Sequence, residues 1–394
     1  MLTCQKHLFS LPDDVHYLNC AYMSPLARRV EAAGIAGMQH KRVPSTITPA
    51  MFFDESNEAR RLFAELVNVK AERVALIPAA SYGIATVARN LSVQPGQNVV
   101  VMHEQFPSNV YTWHRLAQET GAELRTVLPP PEGPDRGCRW NERFLEAIDT
   151  DTALISLSNV HWADGTRFDL DAIGRRAREV GAAFVIDGTQ SVGALPFDVQ
   201  HLQPDALICA AYKWLLGPYS IGAVYLGPRF DDGVPLEENW IGRLGSERFG
   251  ELVNYQEAYQ PGALRYDVGE RSNFILVPMM IAGLQQVLAW GPEAIQTYCE
   301  ALTRDLLREA QAMGFVIEDE ALRSAHLFGV RVPDHLSRDR LREELARRNV
   351  SVSVRGDAIR ISPHVYNDIA DVDALRAALH ACLQPAPPVH STPS

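Results

Sequence analysis

The sequence has no cysteine pair at CxxC spacing, no basic tract, no long apolar run and no internal repeat. Each absence removes a class of function. Its six cysteines, Cys4, Cys20, Cys138, Cys209, Cys299 and Cys382, are scattered, so neither a zinc site nor a disulfide framework is signalled, and no metal is expected. Free thiols of this kind suit a reducing compartment. A net charge of -11 without clustered Lys and Arg disfavours a nucleic-acid surface, because phosphate backbones are held by concentrated cations. Residues Met1 to Pro12 contain no apolar stretch of signal-peptide length, and no run approaches a membrane span. The expectation is a soluble, cytoplasmic protein.

What is present fits a globular chain of more than one domain: 394 residues, 46% hydrophobic and 22% charged, suffice for a large domain and a smaller one. Short apolar runs mark strands at Val74–Ile77, Asn98–Met102, Glu123–Val127, Ala153–Leu157, Ala183–Ile186, Ala206–Ala210 and Ala223–Leu226. Helical spacing lies between them over 54–68, 84–91, 110–120 and 170–180, and a Pro/Gly-rich loop is expected from Pro129 to Gly137. This alternation argues for an α/β fold whose parallel sheet is covered on both faces. After a polar, Gly-rich stretch over 227–266, two helices lead into an α+β end piece with strands at Val350–Val354 and Ala358–Ser362. The expected division is an arm at 1–14, a large domain at 15–268, a small domain with its linking helix at 269–384, and a frayed tail at 385–394.

Lys213 is the anomaly in this pattern. It lies between two apolar runs, and an ammonium at the end of a buried strand is costly unless it is paired or used in a covalent bond. Desolvation lowers an amine's pKa and makes it a nucleophile able to form a Schiff base. Asp187, in Phe184-Val-Ile-Asp-Gly-Thr-Gln190, follows another strand. Taken alone, Asp-Gly is a turn signal, but the carboxyl edge of a parallel sheet is where ligands bind. A lysine to hold an aldehyde and an aspartate to keep a pyridine nitrogen protonated are what a pyridoxal phosphate site needs. Ala80-Ser81-Tyr-Gly83 opens a helix after a strand. Such a position offers backbone N–H groups to a phosphate, although alone it reads as a serine cap.

With Tyr17-Leu-Asn-Cys-Ala-Tyr-Met-Ser-Pro25 and Ile359-Arg-Ile-Ser-Pro-His-Val-Tyr-Asn367, these stretches resemble the class V aminotransferase family of fold-type I pyridoxal phosphate enzymes. That family includes cysteine desulfurases, selenocysteine lyases, kynureninases and an epimerase branch. The resemblance covers nearly the whole chain, and implies a mostly parallel seven-stranded sheet between helices with a smaller α+β C-terminal domain. It makes Lys213 the Schiff-base lysine and the base for the α-proton, Asp187 the partner of the pyridine nitrogen, and Gln190 a donor toward the ring hydroxyl. Phe106, in Gln105-Phe-Pro-Ser-Asn109, takes the position that stacks on the ring. Ala80, Ser81 and Tyr212 would hold the phosphate. Ser272 and Asn273, in Gly269-Glu-Arg-Ser-Asn-Phe274, match the segment that family dimers contribute from the neighbouring subunit, which implies a symmetric homodimer.

Substrate contacts follow from position as well. Arg360 alternates with Ile359 and Ile361 on a strand, and its fork matches an α-carboxylate bidentately; the resemblance gives the same assignment. His161 and Trp162 follow another strand, and Tyr22 lies in the amino-terminal loop, so all three are candidates to line the substrate space. His161 is a binding rather than a catalytic candidate.

Three departures from the family pattern narrow the chemistry. Phe106 stands where desulfurases usually have a histidine. The stretch Asn349 to Asp357 holds no cysteine to take up sulfur. Gln190 replaces the histidine of kynureninases. What remains needs only the lysine base and a carboxylate anchor. β-Elimination from an amino acid, C–S lyase-like, is the favoured reaction, with transamination or racemisation as alternatives and a non-catalytic pyridoxal phosphate-binding protein as the alternative from another class.

Overall fold

The computed structural model describes residues 2–131, 133, 135–333, 336–355 and 358–383. The tail expected to fray, 385–394, lies outside the described residues. Strand β1 (His16–Tyr17) stands apart from a seven-stranded sheet made of β2 (Val74–Ile77), β3 (Asn98–Met102), β4 (Glu123–Val127), β5 (Thr152–Ser158), β6 (Ala183–Asp187), β7 (Ala206–Ala210) and β8 (Gly222–Leu226). The spatial order is β2-β8-β7-β6-β5-β3-β4. All neighbours from β7 to β4 are parallel, and only β8 runs against its neighbours β7 and β2. Each strand lies within a residue of the apolar run that marked it.

The runs are almost wholly apolar because both faces of the sheet are covered. Alternate residues feed two cores: Val74, Leu76, Val100, Ile186 and Leu207 enter one, and Ala75, Ile77, Val99, Val185 and Ile208 enter the other. Register then decides where the polar residues go. Ser158 at the end of β5 pairs with Asp187 at the end of β6, Asp187 pairs with Ile208 of β7, and Ala210 of β7 and Ile77 of β2 both pair with Gly222. The carboxyl ends of β2, β5, β6 and β7 therefore share one edge of the sheet.

Two helices differ from expectation. The helix after β2 runs Ala80–Arg89 rather than from Ile84, which puts Ser81 in its first turn. The loop expected to Gly137 ends early in a helix, Arg136–Glu146, whose buried stripe of Arg136, Gly137, Trp140 and Phe144 follows helical spacing.

The C-terminal part adds β9 (Val316–Ile317), β10 (Phe328–Arg331), β11 (Val350–Ser351), β12 (Ser353–Arg355) and β13 (Ala358–Ile361). Four of these form an antiparallel sheet in the order β12-β13-β10-β9. The single strand expected over 350–354 is thus two strands: β11 turns away to pair in parallel with β1, His16 opposite Val350. Leu18 follows β1 into the small core beside Ile359 and Ile361. Among the described residues no helix is long and apolar enough to cross a membrane, and no cluster of three or more His, Cys, Asp or Glu could hold a metal ion.

The loop after β6 is held against the lysine segment at Gly193. Its φ is +101°, and a β-carbon there would stand 2.4 Å from the Trp214 carbonyl oxygen. Gly193→Ala is expected to cost about 2 kcal/mol or more, measured by urea denaturation. Unchanged stability would mean that this loop has room the structure denies it.

Candidate active site

Lys213 follows β7 at the shared edge and is 6% exposed. Its Nζ lies 5.4 Å from the Tyr212 ring centroid and 5.6 Å from that of Phe106, and no hydrogen bond or ion pair to it exists among the described residues. Burial, reinforced by the Arg360 charge and opposed by Asp187, brings its pKa down to about 8. The chain holds only four lysines, and this is the one a cavity of about 270 Å³ brings together with Asp187, Gln190, Ser81, Phe106 and Trp162.

The acidic partner is held by its own loop. Asp187 is 7% exposed, and its Oδ1 accepts from the Thr189 N–H at 3.0 Å. Burial pushes its pKa up, against the pull of the Thr189 hydrogen bonds and of Lys213. Thr189 in turn accepts from the Ala210 N–H at 3.2 Å, fastening the loop to β7. The Gln190 amide is fixed at both ends: its Oε1 accepts from Trp214 Nε1 at 3.0 Å and its Nε2 donates to the Ala21 carbonyl at 3.1 Å. One amide hydrogen remains for a ligand. Across the cavity, the first turn of the helix Ala80–Arg89 leaves N–H groups without intrahelical acceptors.

The far wall is aromatic. Phe106 and Trp162 meet edge to face at 5.5 Å, and the Trp162 indole N–H donates to the Glu104 carbonyl at 2.6 Å. Behind Trp162, Arg360 is 1% exposed and donates to the Trp162 carbonyl at 2.7 Å and to Ser353 Oγ at 3.2 Å. No carboxylate pairs with it among the described residues. Burial, then the nearby Arg355 charge, brings its pKa down to about 10. A buried guanidinium without a counterion favours an anionic ligand.

Other sequence candidates lie elsewhere. His161 does not line the cavity. It is buried against Trp140, with Nδ1 3.0 Å from Asp164, and Asp164 also accepts from Arg136 at 2.8 Å and Arg331 at 3.0 Å. Burial alone would raise the Asp164 pKa, but His161 and the two arginines hold it well below the usual carboxylate range. Sequence adjacency to Trp162 hid this, because neighbouring residues face opposite ways. Tyr22 is 59% exposed and stands outside the lining. Ser272 and Asn273 line a different cavity, of about 500 Å³, with Phe52, Trp240 and Ile275. There Ser272 donates to the Phe52 carbonyl, and Asn273 Oδ1 accepts from the N–H groups of Ile275 and Leu276 at 3.1 and 2.9 Å, an N-terminal cap. Ser158, Thr189 and Tyr219 line the Lys213 cavity without having been singled out.

The family pattern described as Aminotransferase class-V matches residues 37–375. The chain belongs to that family. An uncharacterized protein of Schizosaccharomyces pombe is 26% identical over 362 residues, covering 90% of this chain and 81% of that one. The isopenicillin N epimerase of Streptomyces clavuligerus is 24% identical over 350 residues, covering 82% and 83%. In fold the chain is similar to the cystine C–S lyase C-DES in complex with its product cysteine persulfide, with a TM-score of 0.80, 18% identity and coverage of 93% and 97%. The protein is a pyridoxal 5'-phosphate-dependent enzyme, and the residues present fit that group: a buried amine that no hydrogen bond or ion pair holds among the described residues, a buried carboxylate lining the same cavity, and a helix start for a phosphate.

In the protein free of cofactor, the rate of bond formation between Lys213 and added pyridoxal phosphate is expected to follow the neutral amine, rising with pH around a midpoint near 8. Arg360→Gln removes a cation that disfavours the charged amine, so its midpoint is expected to move up toward 10.5. Stopped-flow absorbance measures both, and an unmoved or lowered midpoint in the variant contradicts the assignment.

Proposed function

We propose that the enzyme acts on an amino acid by β-elimination, releasing a sulfur leaving group from Cβ, with Lys213 as the cofactor's anchor and the base for the α-proton. When bound, pyridoxal phosphate supplies an aldehyde for the amino group and a ring that accepts the electron pair released at Cα. Asp187 would keep the pyridine nitrogen protonated. Ala80, Ser81 and Tyr212 would hold the phosphate, Gln190 would donate toward the ring hydroxyl and Phe106 would stack on the ring. Arg360 binds the α-carboxylate, with Trp162 beside it.

The observation that carries this reading is the cavity's acid–base content. Among its described lining residues Lys213 is the one amine, and neither histidine nor cysteine is present. Tyr212 is a poor base near neutrality, since burial pushes its pKa up to about 12. The wall of Phe106 and Trp162 offers no second base, because a phenyl ring and an indole, whose nitrogen is a donor only, do not take up a proton. Racemisation through two bases therefore has little support, and a persulfide relay through a lining cysteine has none. Elimination needs one base and a leaving group. The likeness in fold to a cystine C–S lyase supports the same choice.

A homodimer belongs to the proposal. Ser272 and Asn273 sit at the larger cavity beside exposed Met38, Trp240 and Ile275, an apolar surface that a second copy would cover while bringing these residues toward its own phosphate. The proposed division is a cofactor-binding domain at 15–268 and a small domain with its linking helix at 269–384, except that β1 and Leu18 pack with the small core; a cytoplasmic setting suited to six free cysteines is proposed with it.

Pyruvate, ammonium and a thiol, formed in equal amounts from S-substituted cysteines with uptake of one water, are the expected products, and Lys213→Ala is expected to lower their rate of formation by about 10² to 10⁴-fold. Oxo acid formed only when an amino-group acceptor is added would make the enzyme an aminotransferase instead. Light scattering on the active fraction is expected to give twice the chain mass, and full activity at monomer mass overturns the shared site.

A further inference from the structure

The antiparallel pairing of β12 and β13 places Ser353 opposite Arg360 and Arg355 opposite Ala358. Paired residues share a face and neighbours along a strand alternate. Ser353, Arg355 and Arg360 therefore lie on one face, while Val354, Ile359 and Ile361 enter the small core from the other. The polar face is turned to Trp162: Arg360 donates to its carbonyl at 2.7 Å, and the Arg355 guanidinium carbon lies 5.2 Å from its ring centroid. Trp162 meets Phe106, and Phe106 meets Lys213. Contacts thus run without a break from Arg355 to the catalytic lysine.

Arg360 is accounted for by an α-carboxylate, and Arg355 is not. The hydrogen bond it makes is to the adjacent Val354 carbonyl at 2.8 Å, its Nε is buried without a partner, and no carboxylate pairs with it among the described residues. Asp187 is the one carboxylate lining the cavity among those residues, and it belongs to the cofactor. Two cations on one face repel each other, and the Arg355 charge weighs on both Arg360 and Lys213. Such an arrangement is unfavourable when empty and is offset by a ligand with two negative groups.

We propose that Arg355 binds an acidic group on the substrate's side chain, so that the enzyme takes amino acids carrying a second carboxylate, Arg360 holding the α-carboxylate and Arg355 the distal one. The inference rests on the reading of the Lys213 cavity as an amino-acid site. It makes Arg355 a specificity residue whose loss is read in the selectivity of binding.

The test is titration calorimetry of the pyridoxal phosphate-loaded enzyme with 2-methylglutamate and its neutral counterpart 2-methylglutamine, which lack an α-hydrogen to remove. The acid is expected to bind about ten- to a hundredfold more tightly, as for a charge-assisted bidentate pair. In Arg355→Gln that ratio is expected to fall to about one, and Arg355→Lys, which keeps the charge and loses the fork, should retain part of it. The cofactor's absorbance band reports whether each variant is folded. Equal binding of the two ligands by the parent enzyme, or a ratio that survives Arg355→Gln, overturns the inference alone. Binding of neither ligand by protein that holds its cofactor overturns both the inference and the amino-acid reading beneath it.

Discussion

The site depends on one unfavourable arrangement, an amine buried at the end of a strand with no hydrogen-bond partner among the described residues. Taking a cation out of water is costly, and the protein answers by shifting the amine toward its neutral form rather than by pairing the charge. The Tyr212 and Phe106 rings flank Lys213, Asp187 stabilises its charge only at a distance, and Arg360 opposes it. A surface lysine would be almost wholly protonated near neutral pH. Here burial brings the free amine within reach, which is the form that reacts with an aldehyde and accepts a proton.

Much of the surrounding structure fixes the geometry of that amine and its partners. The loops after β6 and β7 are tied together by Thr189 with Ala210 and by Gln190 with Trp214. His326 supports the same corner, with Nε2 2.8 Å from the Gln190 carbonyl. Burial brings the His326 pKa down to about 4, so it acts as a neutral hydrogen-bonding group there. The N-terminal segment closes the arrangement from outside, since Ala21 accepts from Gln190 and Ser24 donates to the Tyr212 carbonyl. Functional side chains are thus carried by short loops that hydrogen bonds from distant parts of the chain hold in place, on a sheet buried on both faces.

The sheet was legible because burial on both faces leaves continuous apolar runs, and Lys213 and Asp187 were legible because they interrupt or end those runs. What escaped was set by tertiary packing. The start of the helix at Ala80 depends on the extended residue before it, and the helix Arg136–Glu146 is polar apart from the stripe that carries Trp140 and Phe144 inward. His161 could not be separated from Trp162 by composition, since only the fold shows that it faces Asp164. Ser272 and Asn273 occupy a second cavity in the single chain, a placement that no local pattern carries. Arg355 had a signal that went unused: Val350, Val352 and Val354 alternate with Ser351, Ser353 and Arg355, which assigns the arginine to the face opposite the core.

With only Lys6, Lys41, Lys70 and Lys213 in the chain, the central claim reduces to which amine holds the cofactor. Borohydride reduction of the loaded enzyme, followed by proteolysis and mass spectrometry, fixes the cofactor on the lysine that carried it. The account predicts a single pyridoxyl mark, on the peptide containing Lys213. A stoichiometric mark on any of the other three, with Lys213 unmodified, would contradict it.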